Sequence, residues 1–191
     1  MRIPSRLKSV VKLCASGNTR YAIAGVHLQR YAKGVCRIEV TDGFQLFICS
    51  WLDTASPGDD EPSPFAAIVP ADLWKTALSS KDEWVVLEEP INLKLLRFDR
   101  GDCAIVGEYD ADAKFPNTEG LIPKYKKTEG SLFGMSHRKL AAMSDVFTRA
   151  EGESANPTRI HVGDTHKGVL LCLDADGLEM TGVIMPCALE A

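Results

Sequence analysis

The chain has 191 residues, enough for one large domain or for one domain and a fragment. With 45% hydrophobic and 25% charged residues, its composition is that of an ordinary globular protein. No run approaches the ~18 apolar residues that a membrane span needs, and the basic N-terminal stretch lacks the apolar core of a secretion signal. We therefore expect a cytoplasmic protein. The six cysteines lie far apart with no CxxC pair, which indicates small buried hydrophobic residues rather than a disulfide framework.

The charge is distributed unevenly along the chain. The net charge is −4, yet the first 38 residues contain eight basic side chains and no acidic one. The remaining 153 residues hold 14 basic and all 26 acidic side chains. This asymmetry indicates either one electropositive surface on an acidic body or an ordinary solvated basic face, and charge alone does not decide between them.

The first predicted unit covers residues 1–52. After residues 1–4, an apolar face at spacing i, i+3, i+4, i+7 predicts a helix that carries Leu7, Val10, Val11 and Cys14, with Gly17 past its end. Strands are predicted over 21–29, 35–41 and 45–52, the middle one with strict alternation of polar and apolar residues. Asp42-Gly43 is a tight-turn signal between the last two.

The second predicted unit covers residues 65–123 and follows a polar loop, 53–64. It begins with a strand over 65–69, and Pro70 then stands at the expected first position of a helix. The apolar face of that helix carries Leu73, Trp74, Ala77 and Leu78. Strands are predicted over 84–88, 92–98 and 103–109, with 100–102 as a turn.

The third predicted unit lies in residues 124–191, after a linker over 124–130. A strand over 131–135 precedes a helix capped by Ser136, with Leu140, Met143 and Phe147 on its apolar face. Strands follow over 158–162, 168–173 and 178–185, with a turn over 174–177. The order strand, helix, three strands thus occurs three times at a spacing of roughly 60 residues.

The count of units predicts the domain organisation. One unit leaves its apolar faces partly uncovered, whereas two units can pack together and bury them. Residues 1–123 are therefore predicted to form a complete domain, and residues 124–191 a half-domain that needs a partner. The fold class is α+β.

Three motifs carry a resemblance to a known family. Residues 19–26 (TRYAIAGV) and 40–46 (VTDGFQL) resemble the RYxLxG and ATDGHRL segments in the middle domain of the bacterial β sliding clamp, the β subunit of DNA polymerase III. Residues 114–117 (KFPN) with 121–123 (LIP) resemble that domain's closing segment, and 183–189 (VIMPCAL) resembles the terminal VMPMRL. The resemblance implies a DNA-clamp fold with helices inside and sheets outside a ring. It also implies that this is a shortened form, containing the middle domain and the second half of the last one.

The resemblance implies a basic inner surface that holds duplex DNA through its phosphates without reading sequence. Lys75 and Lys81 are offset by neighbouring acids, and Arg20 matches a position where the family carries a DNA-facing arginine. For each residue taken alone, a role in surface solubility is an equal alternative. The candidate DNA-binding residues are Arg6, Lys8, Lys12, Arg20, Lys75, Lys81, Arg138, Lys139 and Arg149.

The resemblance also implies a hydrophobic cleft that binds short peptide motifs of polymerases, the clamp loader and repair proteins. Phe44-Gln45 replaces the family's His-Arg, and Cys187-Ala188 replaces Met-Arg, so the peptide preference is expected to differ. Without the matched order, these positions would be interpreted as ordinary core and turn residues. The candidate cleft residues are Ile23, Thr41, Gly43, Phe44, Gln45, Leu46, Pro116, Leu121, Val183, Met185, Pro186 and Cys187.

Two other interpretations compete with a ring. Family rings contain twelve units, so a three-unit chain predicts a homotetramer, whereas a non-ring homologue could act as a decoy that occupies clamp-binding motifs. An enzyme is the other alternative: His161 and His166 flank Asp164, but HExxH, GxSxG and phosphate-cradling glycine loops do not occur. We therefore expect no catalysis, no metal and no cofactor.

Overall fold

The computed structural model describes residues 1–16, 23–53, 64–88, 95–109, 113–122, 135–152, 158–162 and 168–185. The first unit contains strand β1 (Arg2–Pro4), an N-terminal 3-10 helix (Ser5–Leu13), and strands β2 (Gly25–Arg30), β3 (Val35–Thr41) and β4 (Gln45–Leu52). A short 3-10 turn (Ala32–Gly34) lies between β2 and β3. The predicted bounds of β3 and β4 are confirmed.

The second unit repeats this order. It contains β5 (Phe65–Pro70), helix α1 (Ala71–Ala77), β6 (Trp84–Leu87), β7 (Leu95–Asp99) and β8 (Ala104–Glu108). The third unit contains α2 (His137–Glu151), β9 (Arg159–Val162), β10 (Val169–Ala175) and β11 (Leu178–Ile184). Its predicted first strand, 131–135, lies outside the described residues except for Met135.

The start of α1 differs from the sequence prediction by one residue, whereas the start of α2 agrees with it. Pro70 ends β5 and caps α1, which begins one residue later at Ala71. Ser136 does occupy the cap position of α2, but its side chain makes no capping hydrogen bond. Proline lacks an N–H and has a fixed φ, so it is tolerated both at the cap position and at the first position of a helix. Pro70 therefore does not fix the start of α1 to one residue.

The buried face of the N-terminal helix also differs from the prediction. The sequence predicts buried apolar side chains at positions i, i+3, i+4 and i+7. Its fully buried side chains are Leu7, Val10 and Leu13, at a spacing of three, whereas Val11 and Cys14 are only partly buried. A 3-10 helix has three residues per turn, so positions three apart lie on one face. Over two turns, the sequence pattern does not separate this period from that of an α-helix.

The first two units exchange their first strands. A four-stranded sheet has the order β1-β6-β7-β8, and a seven-stranded sheet has the order β5-β2-β3-β4-β11-β10-β9. β1 of the first unit therefore pairs with β6 of the second, and β5 of the second pairs with β2 of the first, both antiparallel. Each of these two units completes the other's sheet.

The third unit joins the first through an antiparallel pairing of β4 with β11. Seven residue pairs run from Gln45 opposite Ile184 to Trp51 opposite Leu178. The β10–β11 turn is Asp176-Gly177, with φ of 46° and 75°, so both central residues have the positive φ of a type I′ hairpin. The predicted turn is confirmed, and it fixes the register of the strand that forms the junction.

The helices cover one face of the seven-stranded sheet. Phe47 of β4 points to this face and contacts Phe147 of α2, with ring centroids 5.7 Å apart. The buried Trp74 of α1 packs into the same core and donates its indole N–H to the Leu7 carbonyl at 3.1 Å. The N-terminal helix, α1 and α2 thus lie together on the inner face of the sheet.

Three cysteines fit the expected role of small apolar residues. Cys36 and Cys49 are fully buried, and burial raises the pKa of Cys14 to about 12 and that of Cys36 to about 11. Cys103, in contrast, is exposed after the β7–β8 turn, and Cys172 is half-buried. In the part of the chain that the structure describes, no helix has the length and apolarity to cross a membrane.

Candidate peptide and nucleic-acid surfaces

The face of the seven-stranded sheet opposite the helices carries a second apolar cluster. Side chains alternate along a strand, so Leu46 and Ile48 of β4 point away from the core that receives Phe47. With Val183 of β11 they form the outer apolar cluster, all three buried, against which Ile122 and Leu170 pack. In register, Leu46 lies opposite Val183, which lies opposite Leu170. The cluster therefore spans the junction between the first and third units.

Three large apolar side chains next to this cluster are exposed. Phe44 is 66% exposed, Leu121 48% and Met185 40%. The backbone N–H of Met185 donates to the Phe44 carbonyl at 3.0 Å, which holds the two chain segments together at the end of the β4–β11 pair. Large apolar side chains left in solvent beside a buried apolar patch are typical of a binding site.

The turn that presents Phe44 is held by its own side chains. The Thr41 hydroxyl donates to the Gln45 carbonyl at 2.6 Å and accepts from the Gly43 N–H at 3.0 Å. The Asp42 carboxylate accepts the N–H groups of Phe44 and Gln45 at 2.9 and 3.0 Å. Gly43 supplies the positive φ of 91° that the turn needs. Phe44 is thus fixed in an outward position without contacts of its own to a core.

Gln45, one of the candidate cleft residues, is buried beside the turn. The residue is only 4% exposed, and the N–H of its side-chain amide donates to the Asp42 carboxylate at 3.3 Å. Its amide oxygen is buried and has no hydrogen-bond partner among the described residues. A buried polar atom without a hydrogen-bond partner is unusual in a folded protein.

Lys139 of α2 lies at the same turn. Its ammonium pairs with the Asp42 carboxylate and stands 5.3 Å from the centre of the Phe44 ring. Burial lowers the pKa of Lys139. The sequence grouped Lys139 with the DNA-facing cations, but the structure places it beside Phe44, where Asp42 balances its charge.

Residues 113–122 cross the outer face of the sheet, and we call them the outer strap. Phe115 stacks on His27 of β2, with ring centroids 4.6 Å apart, and Ile122 reaches the outer apolar cluster. Between them, the Thr118 hydroxyl donates to the buried Glu39 carboxylate at 2.8 Å. The strap places Pro116 and Leu121 on the same face as the cluster.

Glu39 of β3 is the polar anchor of the outer strap. Its carboxylate lies 3.1 Å from Nδ1 of His27 and pairs with Arg37. Burial acts to raise the pKa of Glu39, but hydrogen bonds from His27 and Thr118 and the charge of Arg37 outweigh it, so the pKa is lowered. The sequence carries no local signal for this group, because Thr118 lies 79 positions from Glu39 along the chain.

The structure brings most of the candidate cleft residues together. Ile23 is buried, and its carbonyl accepts from the N–H of Ala15, but no described contact joins it to the outer apolar cluster. Pro186 and Cys187 lie outside the described residues. The other nine candidate residues lie at the β3–β4 turn, on or next to β4 and β11, or on the outer strap: Thr41, Gly43, Phe44, Gln45, Leu46, Pro116, Leu121, Val183 and Met185.

The inner side of the molecule has a basic groove. A cavity of about 650 Å³ lies among the three helices, and five cations line it: Arg6, Lys8 and Lys12 from the N-terminal helix, Lys75 from α1 and Arg149 from α2. Serines also line it, and the buried hydroxyl of Ser9 has no hydrogen-bond partner among the described residues. The hydroxyls of Ser5, Ser79 and Ser80 already donate within the chain, so the groove offers phosphate oxygens mainly the positive charge of its side chains.

Carboxylates offset part of this charge. Asp176 pairs with Arg6 at 2.8 Å, and Asp145 pairs with Lys12 at 2.6 Å and with Arg149 at 3.0 Å. Hydrogen bonds from Lys12 and then Arg149 lower the pKa of Asp145. Lys8 and Lys75 form no ion pair within the described ranges. Five cations and two carboxylates leave three net positive charges.

The other candidate cations do not line the groove. Lys81 is exposed in the bend after α1, next to Asp82 and Glu83. Arg138 is exposed in the first turn of α2. Arg20 lies outside the described residues.

The groups considered for metal or catalytic chemistry are not assembled in the described part of the chain. His161 lies on β9, whereas Asp164 and His166 lie outside the described residues. Over the described residues, no group of three or more His, Cys, Asp or Glu side chains could hold a metal ion.

Comparisons with known proteins bear on the fold. No protein-family model and no curated protein matches this chain. Solved structures that resemble it include a DNA polymerase sliding clamp from Pseudomonas aeruginosa, with a TM-score of 0.72 and 18% identity over 99% of this chain. A DNA polymerase sliding clamp from Bacillus subtilis has a TM-score of 0.72 and 13% identity over 100% of it. The DNA polymerase III β subunit from Thermotoga maritima has a TM-score of 0.67 and 13% identity over 100% of this chain.

These matches confirm the predicted fold. The chain has the α+β fold of a sliding clamp. It spans 66%, 64% and 65% of the Pseudomonas, Bacillus and Thermotoga chains.

Proposed function

We propose that the chain is a DNA sliding clamp: four copies form a ring around duplex DNA and tether polymerase and other replication or repair proteins. The observation that carries the proposal is the placement of two surfaces on opposite faces of one sheet. The basic groove lies on the helical face, and the outer apolar cluster with exposed Phe44 lies on the other. A ring with helices inside has this arrangement. In this role the chain catalyses no reaction.

The basic groove suits sequence-independent contact with phosphates. Its cations come from three helices, and two of them, Lys8 and Lys75, have no ion pair among the described residues. A net charge of about three over this surface attracts a duplex through counterion release without binding it tightly enough to prevent sliding. Arg20, Lys81 and Arg138 are proposed as outlying contacts, and Lys139 is instead assigned to the peptide cleft.

The outer face suits a short peptide with apolar anchors. Phe44, Leu121 and Met185 leave apolar surface in solvent around a buried patch. A peptide segment laid here buries its anchor side chains against this surface. Clamp-binding motifs of a polymerase and a clamp loader are the proposed occupants.

The proposed ring rests on the third unit, which is half of a domain and leaves an apolar face for a partner to cover. In the first two units each sheet receives a strand from the other unit, as β5 joins β2. Among the described residues, β9 is the last strand of the seven-stranded sheet, and Ile160 on it is 60% exposed. The third units of two copies would complete each other in the same way, and four chains would supply the twelve units of a ring.

The first test is the solution mass by light scattering over a range of concentrations. A stable species of four chains, each 20.9 kDa, supports the ring. The second test is retention on DNA: a ring stays on nicked circular DNA and is lost when the same DNA is linearised. A monomer at every concentration, or equal retention on both DNA forms, would contradict the ring.

A second function is favoured by the outer face, because the exposed Phe44, Leu121 and Met185 and the outer apolar cluster all lie within one chain. A chain that forms no ring could still bind clamp motifs there and act as a decoy. A monomer that binds a clamp-motif peptide, and loses this binding in the Phe44→Ala variant, would favour the decoy.

A further inference from the structure

The last strand of each unit forms a junction or an edge. β4, the last strand of the first unit, pairs with β11, the last strand of the third, over seven antiparallel residue pairs. β8 is the last strand of the second unit, and within the described part of the chain it pairs only with β7. The chain thus has one junction between last strands and one last strand at a sheet edge.

We propose that β8 pairs antiparallel with β8 of a second copy of the chain. This inference rests on the proposed ring, in which contacts between third units supply one of the two interfaces that each chain needs. A strand edge presents N–H and C=O groups that another strand can pair with. A two-fold contact between copies uses the same surface on both, as closed homo-oligomers commonly do.

The side chains of β8 alternate between exposed and partly buried. Ala104, Val106 and Glu108 are exposed, whereas Ile105 and Gly107 are partly buried. Gly107 approaches Leu73 so closely that an added Cβ would lie 2.5 Å from its side chain. Val106, at the centre of the strand, is 50% exposed. An apolar β-branched residue in this position gains buried area when a strand is added beside it.

The length of β8 favours one register. Directly opposed residues in an antiparallel pair lie on the same face of the sheet, so the two-fold axis must pass beside a residue rather than between two residues. An axis at Ile105 or at Gly107 pairs only three of the five strand residues with strand residues of the partner. An axis at Val106 sets the two valines opposite each other and sets Glu108 opposite the partner's Ala104. All five residues of the strand then have a strand residue opposite them.

Cysteine cross-linking tests this register in the full-length protein. The background carries Cys103→Ser and Cys187→Ser, and by itself must give no cross-linked dimer. In the proposed register, Val106→Cys sets two thiols at the ~5 Å Cα separation that a disulfide accepts. Glu108→Cys alone leaves its two copies about four residues, or ~13 Å, apart along the strand, too far for a bond.

Oxidation should therefore convert most of the Val106→Cys protein to a disulfide dimer, and little of the Glu108→Cys or Ala104→Cys protein. An equal mixture of the last two variants should cross-link. A tetramer in which Val106→Cys stays uncross-linked overturns the β8 pairing while leaving the ring. A cross-linked species that never exceeds two chains supports the β8 pairing and contradicts the tetrameric ring.

Discussion

The salt dependence of DNA binding is the most direct test of the basic groove. Lys8 and Lys75 line it without an ion pair among the described residues, so each should neutralise about one phosphate. In Lys8→Gln and in Lys75→Gln, the slope of log affinity against log salt should become shallower by about 0.9. Between about 50 and 200 mM salt, one such contact accounts for a change of about 3.5-fold in affinity. Fluorescence anisotropy of a labelled duplex measures the slope.

Asp145 gives a change of the opposite sign. Its carboxylate accepts from Lys12 at 2.6 Å and from Arg149 at 3.0 Å, so Asp145→Asn releases two cations and raises the net charge of the groove by one. The slope should steepen by about 0.9. Lys114→Gln is the matched control, because Lys114 is an exposed cation on the outer strap, on the opposite face of the sheet from the groove. A change in Lys114→Gln as large as in Lys8→Gln, or weaker binding by Asp145→Asn, would refute the assignment of the groove.

Three further changes test the outer face and the strand exchange. Phe44→Ala should weaken binding of a clamp-motif peptide by at least about tenfold, measured by calorimetry, because an exposed aromatic anchor is lost. Glu39→Gln should lower the free energy of unfolding by about 1–3 kcal/mol at pH 7, since buried partners lose a charged acceptor. The pKa of Glu39 is lowered in the folded chain, so this stabilisation is complete above its ordinary value of 4.5 and is lost as pH falls through the folded value. Gly25→Ala should destabilise by about 1–3 kcal/mol in urea unfolding, because its Cβ would lie 2.5 Å from the Val69 carbonyl oxygen.

Each of these changes has a control. Tyr31→Ala removes an exposed aromatic ring elsewhere and should leave peptide binding unchanged. The difference in stability between wild type and Glu39→Gln should shrink at low pH, and a constant difference would mean that charge is not the cause. Gly107→Ala also meets an atom at 2.5 Å, but that atom ends the flexible Leu73 side chain. Equal losses in Gly25→Ala and Gly107→Ala would show that the exchanged backbone of β5 is not the constraint.

Local patterns in the sequence were enough to predict the strands and tight turns. The alternation in β3 and the run in β4 gave their bounds, and Asp42-Gly43 marked the turn between them. Strand periodicity and positive-φ glycine signals arise within a few residues, so one sequence contains them. The period of the N-terminal helix was not resolved, because two turns are too short to separate three residues per turn from 3.6.

Contacts between distant residues were the part that the sequence did not contain. The spacing of Lys139 on α2 was compatible with an inward direction, yet its partner Asp42 lies 97 positions earlier on a different unit. In the sequence, Glu39 is only one polar residue in an alternating strand. In the structure, His27, Thr118 and Arg37 surround its carboxylate. Ion pairs and buried polar groups depend on tertiary packing, which composition and periodicity do not specify.

The antiparallel direction of the proposed contacts between copies has a consequence for the ring as a whole. The two-fold axis of an antiparallel strand pair passes through the sheet, and therefore runs along a radius of a ring whose wall is made of sheets. Rotation about a radius turns a chain upside down, so the turn that carries Phe44 would open upward in one chain and downward in the next. Such a ring has no front and no back. It would thread onto DNA in either orientation with the same result, and two partners could occupy opposite sides without competing for one.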